Sequence, residues 1–215
     1  MTRANKDSAE SSTTGQQRVL ITAGASGIGA AMVTAFLDDE AQVHVADLPG
    51  QLHDLPPGVT ATAADVSDPD QVDQLFDEAV QVMGGVDVLC NNVGIAGPTG
   101  ALEELEVSEW DRTMAVNVRS MFLCCRRAIP LMRAQESGVI LNTASTAGLV
   151  GYPLRSPYAA SKWAVVGLSA TLAMELGEFN IRVNTLCPGS VGGDRMDQVI
   201  AAEAVALGLS ETIIR

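Results

Sequence analysis

Tyr158 and Lys162 stand four residues apart in the run Tyr158-Ala159-Ala160-Ser161-Lys162. On a helix that spacing puts both side chains on one face, close enough to interact. A free tyrosine has a pKa of about 10, so its use as a base near neutral pH requires the phenolate to be stabilised. An ammonium one turn along the helix supplies that stabilisation. Ser145, thirteen positions before Tyr158, offers a hydroxyl for a substrate oxygen. The Tyr…Lys pair alone fits an ordinary surface helix pair equally well, so the reading depends on what else converges on the same edge.

A second constellation is Thr22-Ala23-Gly24-Ala25-Ser26-Gly27-Ile28-Gly29, lying between an apolar run and an amphipathic stretch. Glycines at a strand-to-helix turn let the backbone approach a pyrophosphate at the helix N-terminus. By position, Gly24 is expected to take positive φ, Gly27 to leave room for the phosphates and Gly29 to let helix and strand approach. Asp47 follows Gly29 by 18 residues, where a carboxylate accepts hydrogen bonds from an adenosine ribose diol and repels a 2′-phosphate. No Arg or Lys stands at Ala25, Ser26 or Leu48, so NAD is favoured over NADP. A tight strand-to-helix turn and a strand-ending Asp are the plain alternatives.

The elements that must position these groups alternate short β-branched runs with amphipathic stretches, the pattern of βαβ units around a parallel sheet. Strands are expected at Val19–Thr22, Val43–Ala46, Val59–Ala64, Val86–Cys90, Val139–Thr143 and Ile181–Leu186. Helices are expected from Gly27 to about Asp39, from the Asp68-Pro69 cap to Val82, from an N-cap at Ser108 to Arg133, and from Pro157 to Leu176. Pro130 is expected to kink or end the third of these and Gly177 to close the fourth. Met196–Leu207 reads as a further apolar helical stretch.

At 215 residues, with 47% hydrophobic side chains, the chain has material for one continuous α/β core. Residues 1–17 are polar and aperiodic and read as a disordered tail preceding a single domain over 18–215. A net charge of -13 argues against nucleic acid and anionic membrane partners. It leaves room for a dinucleotide held by backbone N–H groups. Cys90, Cys124, Cys125 and Cys187 sit in apolar contexts without metal-ligand spacing and read as reduced core thiols, so no metal is expected. His44 and His53 lie away from the Tyr158 edge, and Arg155 reads as a solvated loop residue. No signal-peptide core or membrane-length apolar run occurs, so a cytoplasmic location is expected.

Taken in order, these motifs resemble the short-chain dehydrogenase/reductase family over about Arg18 to Gly189. The resemblance is carried by the glycine turn, Asp47, Asp65-Val66, Asn91-Asn92-Val93-Gly94, Asn117, Ser145, the Tyr158–Lys162 run, and Ile181-Arg182-Val183-Asn184 followed by Pro188-Gly189. It implies a Rossmann-like doubly wound parallel sheet of order 3-2-1-4-5-6. It also implies NAD-dependent interconversion of a secondary alcohol and a ketone, in a homodimer or homotetramer. In that frame Tyr158 is the acid/base, Ser145 positions the substrate oxygen, Lys162 binds the ribose and Asn117 holds a proton-relay water.

The resemblance places the cofactor against Gly24, Ser26, Gly27, Ile28, Gly29 and Asp47, with Asp65 and Val66 framing adenine. Asn91 and Gly94 line the cleft, and Pro188, Gly189 and Val191 close it. Without the family, Asn117 reads as a helix-packing residue and Asp65 as a cap. The sequence departs from the pattern at Ala23 (usually glycine), Val93 (usually alanine) and Gly193 (commonly a threonine that meets the nicotinamide carboxamide). Family members continue with another helix and a strand beside the sixth, so the chain is expected to be C-terminally incomplete, with residues 189–215 as its substrate-loop region. A non-catalytic dinucleotide-binding protein of the same fold is the competing reading.

Overall fold

β1 (Arg18–Thr22) occupies the middle of the sheet and is buried on both faces, which is why its sequence is a continuous apolar run rather than an alternating one. The computed structural model describes residues 15–214, so most of the expected N-terminal tail lies outside the described residues. Around β1 the chain runs α1 (Gly27–Asp38), β2 (Gln42–Asp47), β3 (Thr60–Ala63), α2 (Pro69–Met83) and β4 (Val88–Asn91). It continues with α3 (Val107–Met114), α4 (Ser120–Gln135), β5 (Gly138–Thr143), α5 (Ser156–Leu176), β6 (Ile181–Leu186), α6 (Asp194–Leu207) and α7 (Glu211–Ile214). All six strands are parallel, in the order β3-β2-β1-β4-β5-β6. This is the expected Rossmann-like architecture.

Side-chain alternation along the strands divides the core in two. Leu20, Ala46, Leu89 and Ile140 face α2, α4 and α5, meeting Leu75, Phe76, Met132, Val165 and Leu172. Val19, Ile21, Val43, Val45 and Val88 face α1 through Val33. Among the described residues β6 pairs only with β5, leaving it an edge strand. No helix among them is long and apolar enough to cross a membrane.

α2 illustrates how locally the sequence dictates its elements. Asp68 accepts hydrogen bonds from the N–H groups of Asp70 and Gln71, Pro69 fills the first turn, and Gly84 at φ 78° closes the helix. Val72, Leu75, Phe76, Ala79 and Met83 form its buried stripe.

Three expected boundaries are corrected. The N-cap of α3 is Glu106, not Ser108, because the Glu106 and Glu109 side chains satisfy each other's backbone N–H groups in a capping box. The expected single helix is interrupted by a π-helical turn at Ala115–Arg119, and Pro130 is carried inside α4 without ending it. Met132, fully buried two residues later, anchors the turn that follows Pro130. Gly177 keeps right-handed backbone (φ -59°), and the left-handed closing position passes to Asn180 (φ 57°) after a 3-10 turn.

Candidate active site

The candidate site lies at the C-terminal end of β5, where Lys162 of α5 meets Thr143 and the segment that follows β4 at Gly94, on the edge at which open α/β sheets bind ligands. Lys162 is only 2% exposed. Its Nζ donates to the carbonyl oxygen of Thr143, the last residue of β5, at 2.9 Å. The same Nζ lies 5.7 Å from the ring centre of Tyr158. A Cβ at Gly148 would stand 2.6 Å from the Lys162 carbonyl oxygen, so a glycine there is what lets the turn Thr146–Gly148 seat against α5.

Ser145 caps that turn, its Oγ accepting from the N–H of Ala147 at 3.2 Å. The turn is tied to the end of β6 by Ala144 N–H to Leu186 O (2.7 Å) and Thr146 N–H to Pro188 O (2.9 Å). Tyr158 and Ser145 are both half-buried, the exposure required of groups that meet a substrate.

Asn117, fully buried in the π-helical turn, joins two walls of the site. Its Oδ1 accepts from Ile95 N–H at 2.7 Å, and its Nδ2 donates to Ile95 O and Ser161 Oγ, both at 3.0 Å. Ser161 in turn donates to the Tyr158 carbonyl at 2.7 Å. The side-chain amide of Asn117 is thereby fully engaged in holding the two walls together. Gly94 lies over this junction: a Cβ there would come within 3.3 Å of both Asn117 Oδ1 and Lys162 Nζ.

Arg155 is not the solvated residue its loop position predicts. It is 2% exposed, donates to the carbonyl oxygen of Ala96 at 2.8 Å, and holds its guanidinium 5.1 Å from the Tyr158 ring centre. Sequence reasoning missed it because loop arginines are usually solvated. Its position three residues before Tyr158 was the available signal.

At the glycine turn the expected division of roles changes. Positive φ is taken by Ala23 (51°) and Gly27 (54°), not by Gly24. Gly24 is required sterically instead, since a Cβ would sit 2.8 Å from Val45 Cγ2. At Gly29 a Cβ would meet the Ala23 carbonyl oxygen at 1.9 Å, so the close approach there is to the turn itself. The carbonyl of Ala23 accepts from Asn92 Nδ2, and Thr22 Oγ1 accepts from the N–H groups of Asn92 and Val93. Thr22 and Asn92 thus lock the turn to the loop after β4, a function the sequence did not assign them.

Ser26 makes no side-chain cap bond and the first turn of α1 carries no acidic residue, while Ser26 and Gly27 are exposed and Ile28 is half-buried. That is an unspent helix N-terminus suited to an anion. Asp47 accepts from Ala25 N–H (3.1 Å) and Leu48 N–H (2.8 Å), which fixes its carboxylate beside the turn.

The remaining expected cofactor residues divide. Asp65 accepts from the N–H and hydroxyl of Ser67. The side chain of Val66 is packed in the core, so only its backbone is left to border an adenine. Asn91 points inward, its Nδ2 donating to Asn142 Oδ1 at 2.9 Å, and Asn142 donates onward to Ser169 Oγ. The Asn91 side chain braces the sheet against α5, so only its backbone is left to line the cleft. Pro188, Gly189 and Val191 follow β6, with Val191 about half exposed.

Cys90, Cys124 and Cys125 are buried, and Cys187 is half-buried. Burial pushes the Cys90 and Cys125 thiols up to about 12 and Cys124 in the same direction, so these three stay neutral thiols. His44 is enclosed in the sheet and His53 is exposed beside Asp54. Among the described residues no group of His, Cys, Asp and Glu is placed to hold a metal ion.

Residues 17–204 match the family model described as short chain dehydrogenase. The chain belongs to the short-chain dehydrogenase/reductase family. Its members are oxidoreductases that bind nicotinamide dinucleotides and act on secondary alcohols and ketones. The 2-(R)-hydroxypropyl-CoM dehydrogenase of Xanthobacter autotrophicus is 38% identical over 183 residues, which span 80% of this chain and 73% of that protein. Among solved structures, NAD+-bound xylitol dehydrogenase superposes with a TM-score of 0.83 at 26% identity, covering 88% of this chain and 76% of that one. ElxO with NADP bound does so at 0.79 and 27%, covering 88% and 79%.

Against the short-chain dehydrogenase/reductase pattern, the three departures have visible local consequences. Ala23 carries the left-handed conformation that a glycine would adopt freely. Val93 packs against the core cluster under the sheet. Gly193 takes φ 127° at the start of α6, a backbone that no threonine adopts readily.

Proposed function

We propose that residues 18–215 form one dinucleotide-binding oxidoreductase unit that interconverts a secondary alcohol and a ketone, with NAD as its cofactor. The observation that carries this reading is the convergence at one sheet edge. Lys162 is buried with its ammonium at the end of β5 and beside the Tyr158 ring, and Ser145 stands two residues beyond the same strand.

The residues fit the cofactor. The unspent N-terminus of α1 at Ser26, Gly27 and Ile28 suits a pyrophosphate. Asp47 suits a ribose diol and opposes a 2′-phosphate, and no cationic side chain at Ala25, Ser26 or Leu48 would offset that opposition. The xylitol dehydrogenase and ElxO structures carry NAD+ and NADP respectively, so discrimination falls to such local charges. When bound, the nicotinamide supplies the hydride acceptor or donor.

The protein's own part is the proton. Ser145 Oγ already accepts from Ala147 and has its hydroxyl hydrogen to donate to the substrate oxygen. Tyr158 Oη takes the alcohol proton, or returns one to the ketone oxygen. Lys162 holds the ribose and places a positive charge near the phenol where negative charge develops. Residues 189–215 border the substrate. Trp163 and Met174, eleven residues apart on one stripe of α5 and exposed, supply an apolar face for a homodimer or homotetramer.

The test is a panel of secondary alcohols with NAD at alkaline pH, read as the absorbance of reduced nicotinamide, for wild type and Tyr158→Phe. Turnover of at least one alcohol, abolished in the variant, is expected. Reduced cofactor that binds while no alcohol or ketone turns over, or a variant that matches wild type, sinks the proposal.

A further inference from the structure

The segment that follows β4 is stitched into the site at successive residues. Ile95 is held by Asn117 through both its N–H and its carbonyl. Gly97, at φ 67°, lies against Thr113, whose Oγ1 would be 2.8 Å from an added Cβ. The two remaining stitches run to the turn that opens α5: Arg155 Nη2 donates to Ala96 O at 2.8 Å, and Gly100 N–H donates to Leu154 O at 2.9 Å.

That turn is held in an unfavourable shape. Leu154 sits at φ 60°, a left-handed conformation that a leucine adopts only when its surroundings impose it. Arg155 follows as the N-cap of α5, its carbonyl accepting the N–H of Ala159 at 2.8 Å. Its guanidinium lies 5.1 Å from the ring centre of Tyr158 and 5.8 Å from that of Tyr152, within reach of cation–π attraction. One buried side chain therefore touches the 96–100 segment, the strained turn and the ring of Tyr158.

We propose that Arg155 is a positioning residue for Tyr158: it clamps the 96–100 segment to the start of α5 and fixes the tyrosine ring between that segment and Lys162. The guanidinium suits this double task, since it donates hydrogen bonds from its edge while its charge is attracted to a nearby aromatic ring. The role rests on Tyr158 being the acid/base.

The experiment compares wild type, Arg155→Met and Arg155→Lys in the alcohol assay, with the affinity for NADH, the melting temperature and hydrogen exchange over 95–100 and 152–158 measured in parallel. Met loses both the donor and the charge, and Lys retains them without the fork. Expected for Arg155→Met is a fall in kcat on the order of 10²-fold, the scale of a misplaced catalytic group, with KM and NADH affinity unchanged and faster exchange in both segments. Arg155→Lys is expected to recover part of kcat.

A wild-type kcat or unchanged exchange in Arg155→Met overturns the proposal. So does a loss that follows melting temperature and NADH affinity with no recovery in Arg155→Lys, which would mark a residue that only supports the fold. A loss confined to carboxylate-bearing alcohols would mark a substrate anchor instead. If Tyr158→Phe turns over like wild type, the acid/base reading fails, an outcome distinct from any in the Arg155 series.

Discussion

Lys162 reaches out of α5 to donate to the carbonyl oxygen of Thr143 at 2.9 Å. The sheet and α5 are thus joined by a charge that also neighbours the Tyr158 ring, so the ammonium's place is set by β5 rather than by the mobility of a lysine chain. Gly94 bounds it on a further side, a Cβ there standing 3.3 Å from Nζ.

A charge so enclosed should not tolerate relocation. Lys162→Met and Lys162→Arg are both expected to lose about 10²-fold or more in kcat, the scale of a proton-transfer assistant. Arginine keeps the charge but puts a broad planar group where a compact ammonium fits. The check is steady-state kinetics on the alcohol identified in the panel. Near-wild-type kcat in Lys162→Arg would show that charge alone suffices.

Asp47 should decide between the two dinucleotides. Its carboxylate is fixed by Ala25 and Leu48 N–H groups, so it cannot swing aside for a 2′-phosphate. Asp47→Ala is expected to weaken NAD binding by about tenfold, the value of roughly one charge-assisted hydrogen bond, and to strengthen NADP binding relative to NAD. Titration of both cofactors by calorimetry measures this. Unchanged selectivity would remove Asp47 from the assignment.

The glycine turn offers substitutions with opposite signs. Ala23 at φ 51° bears a left-handed penalty of about 1–2 kcal/mol. Glycine relieves it at an entropic cost of about 0.5–1 kcal/mol, so Ala23→Gly should be neutral to slightly stabilising, raising Tm by no more than about 6 °C. Gly29→Ala forces a Cβ onto the Ala23 carbonyl, a backbone atom with little freedom to yield. It should destabilise by about 1–3 kcal/mol and abolish dinucleotide binding. Thermal melts with and without NADH separate the two effects.

What could be read from residue order alone follows a physical division. The strands, α2 with its Asp68 cap, and the meeting of Tyr158 with Lys162 depend on periodicity, capping chemistry and i, i+4 spacing, all local properties of the chain, whereas the sheet order is implied by the family resemblance. Arg155, Asn91 and Thr22 were misjudged or unassigned because their partners are remote in sequence. Arg155 bonds Ala96, Asn91 bonds Asn142, and Thr22 bonds Asn92. The π-helical turn at Ala115–Arg119 escaped for the same reason, since the grip of Asn117 on Ile95 is a tertiary contact that no helical pattern announces. Ala23 escaped for a different one: substituting a residue for glycine does not reveal whether the left-handed conformation moves with it or stays.

Acid should destabilise the fold in two separable windows. His44 sits in β2 with Nδ1 2.8 Å from Thr60 Oγ1 and Nε2 3.0 Å from Thr62 Oγ1. Burial holds its pKa below the ordinary value, with the charge of Glu78 opposing. The unfolded chain takes up that proton near pH 6.5 while the folded one resists. Stability is therefore full above that value and falls as pH drops below it, by at most about 1.4 kcal/mol per pH unit, until folded His44 also protonates. Asp87 acts lower. Burial alone would raise its carboxyl, but the hydrogen bonds from the Arg18 side chain and backbone N–H and the charge of Arg18 outweigh it, leaving it below the usual carboxylate range. Its contribution is present above about pH 3.9 and is lost as pH falls through its depressed folded value. Urea midpoints should decline as pH falls below about 6.5 and decline further below about pH 3.9. His44→Gln should flatten the first decline and leave the second, and Asp87→Asn the reverse. A wild-type midpoint that holds constant between neutrality and pH 5 would show that His44 protonates in the folded chain as readily as in the unfolded one.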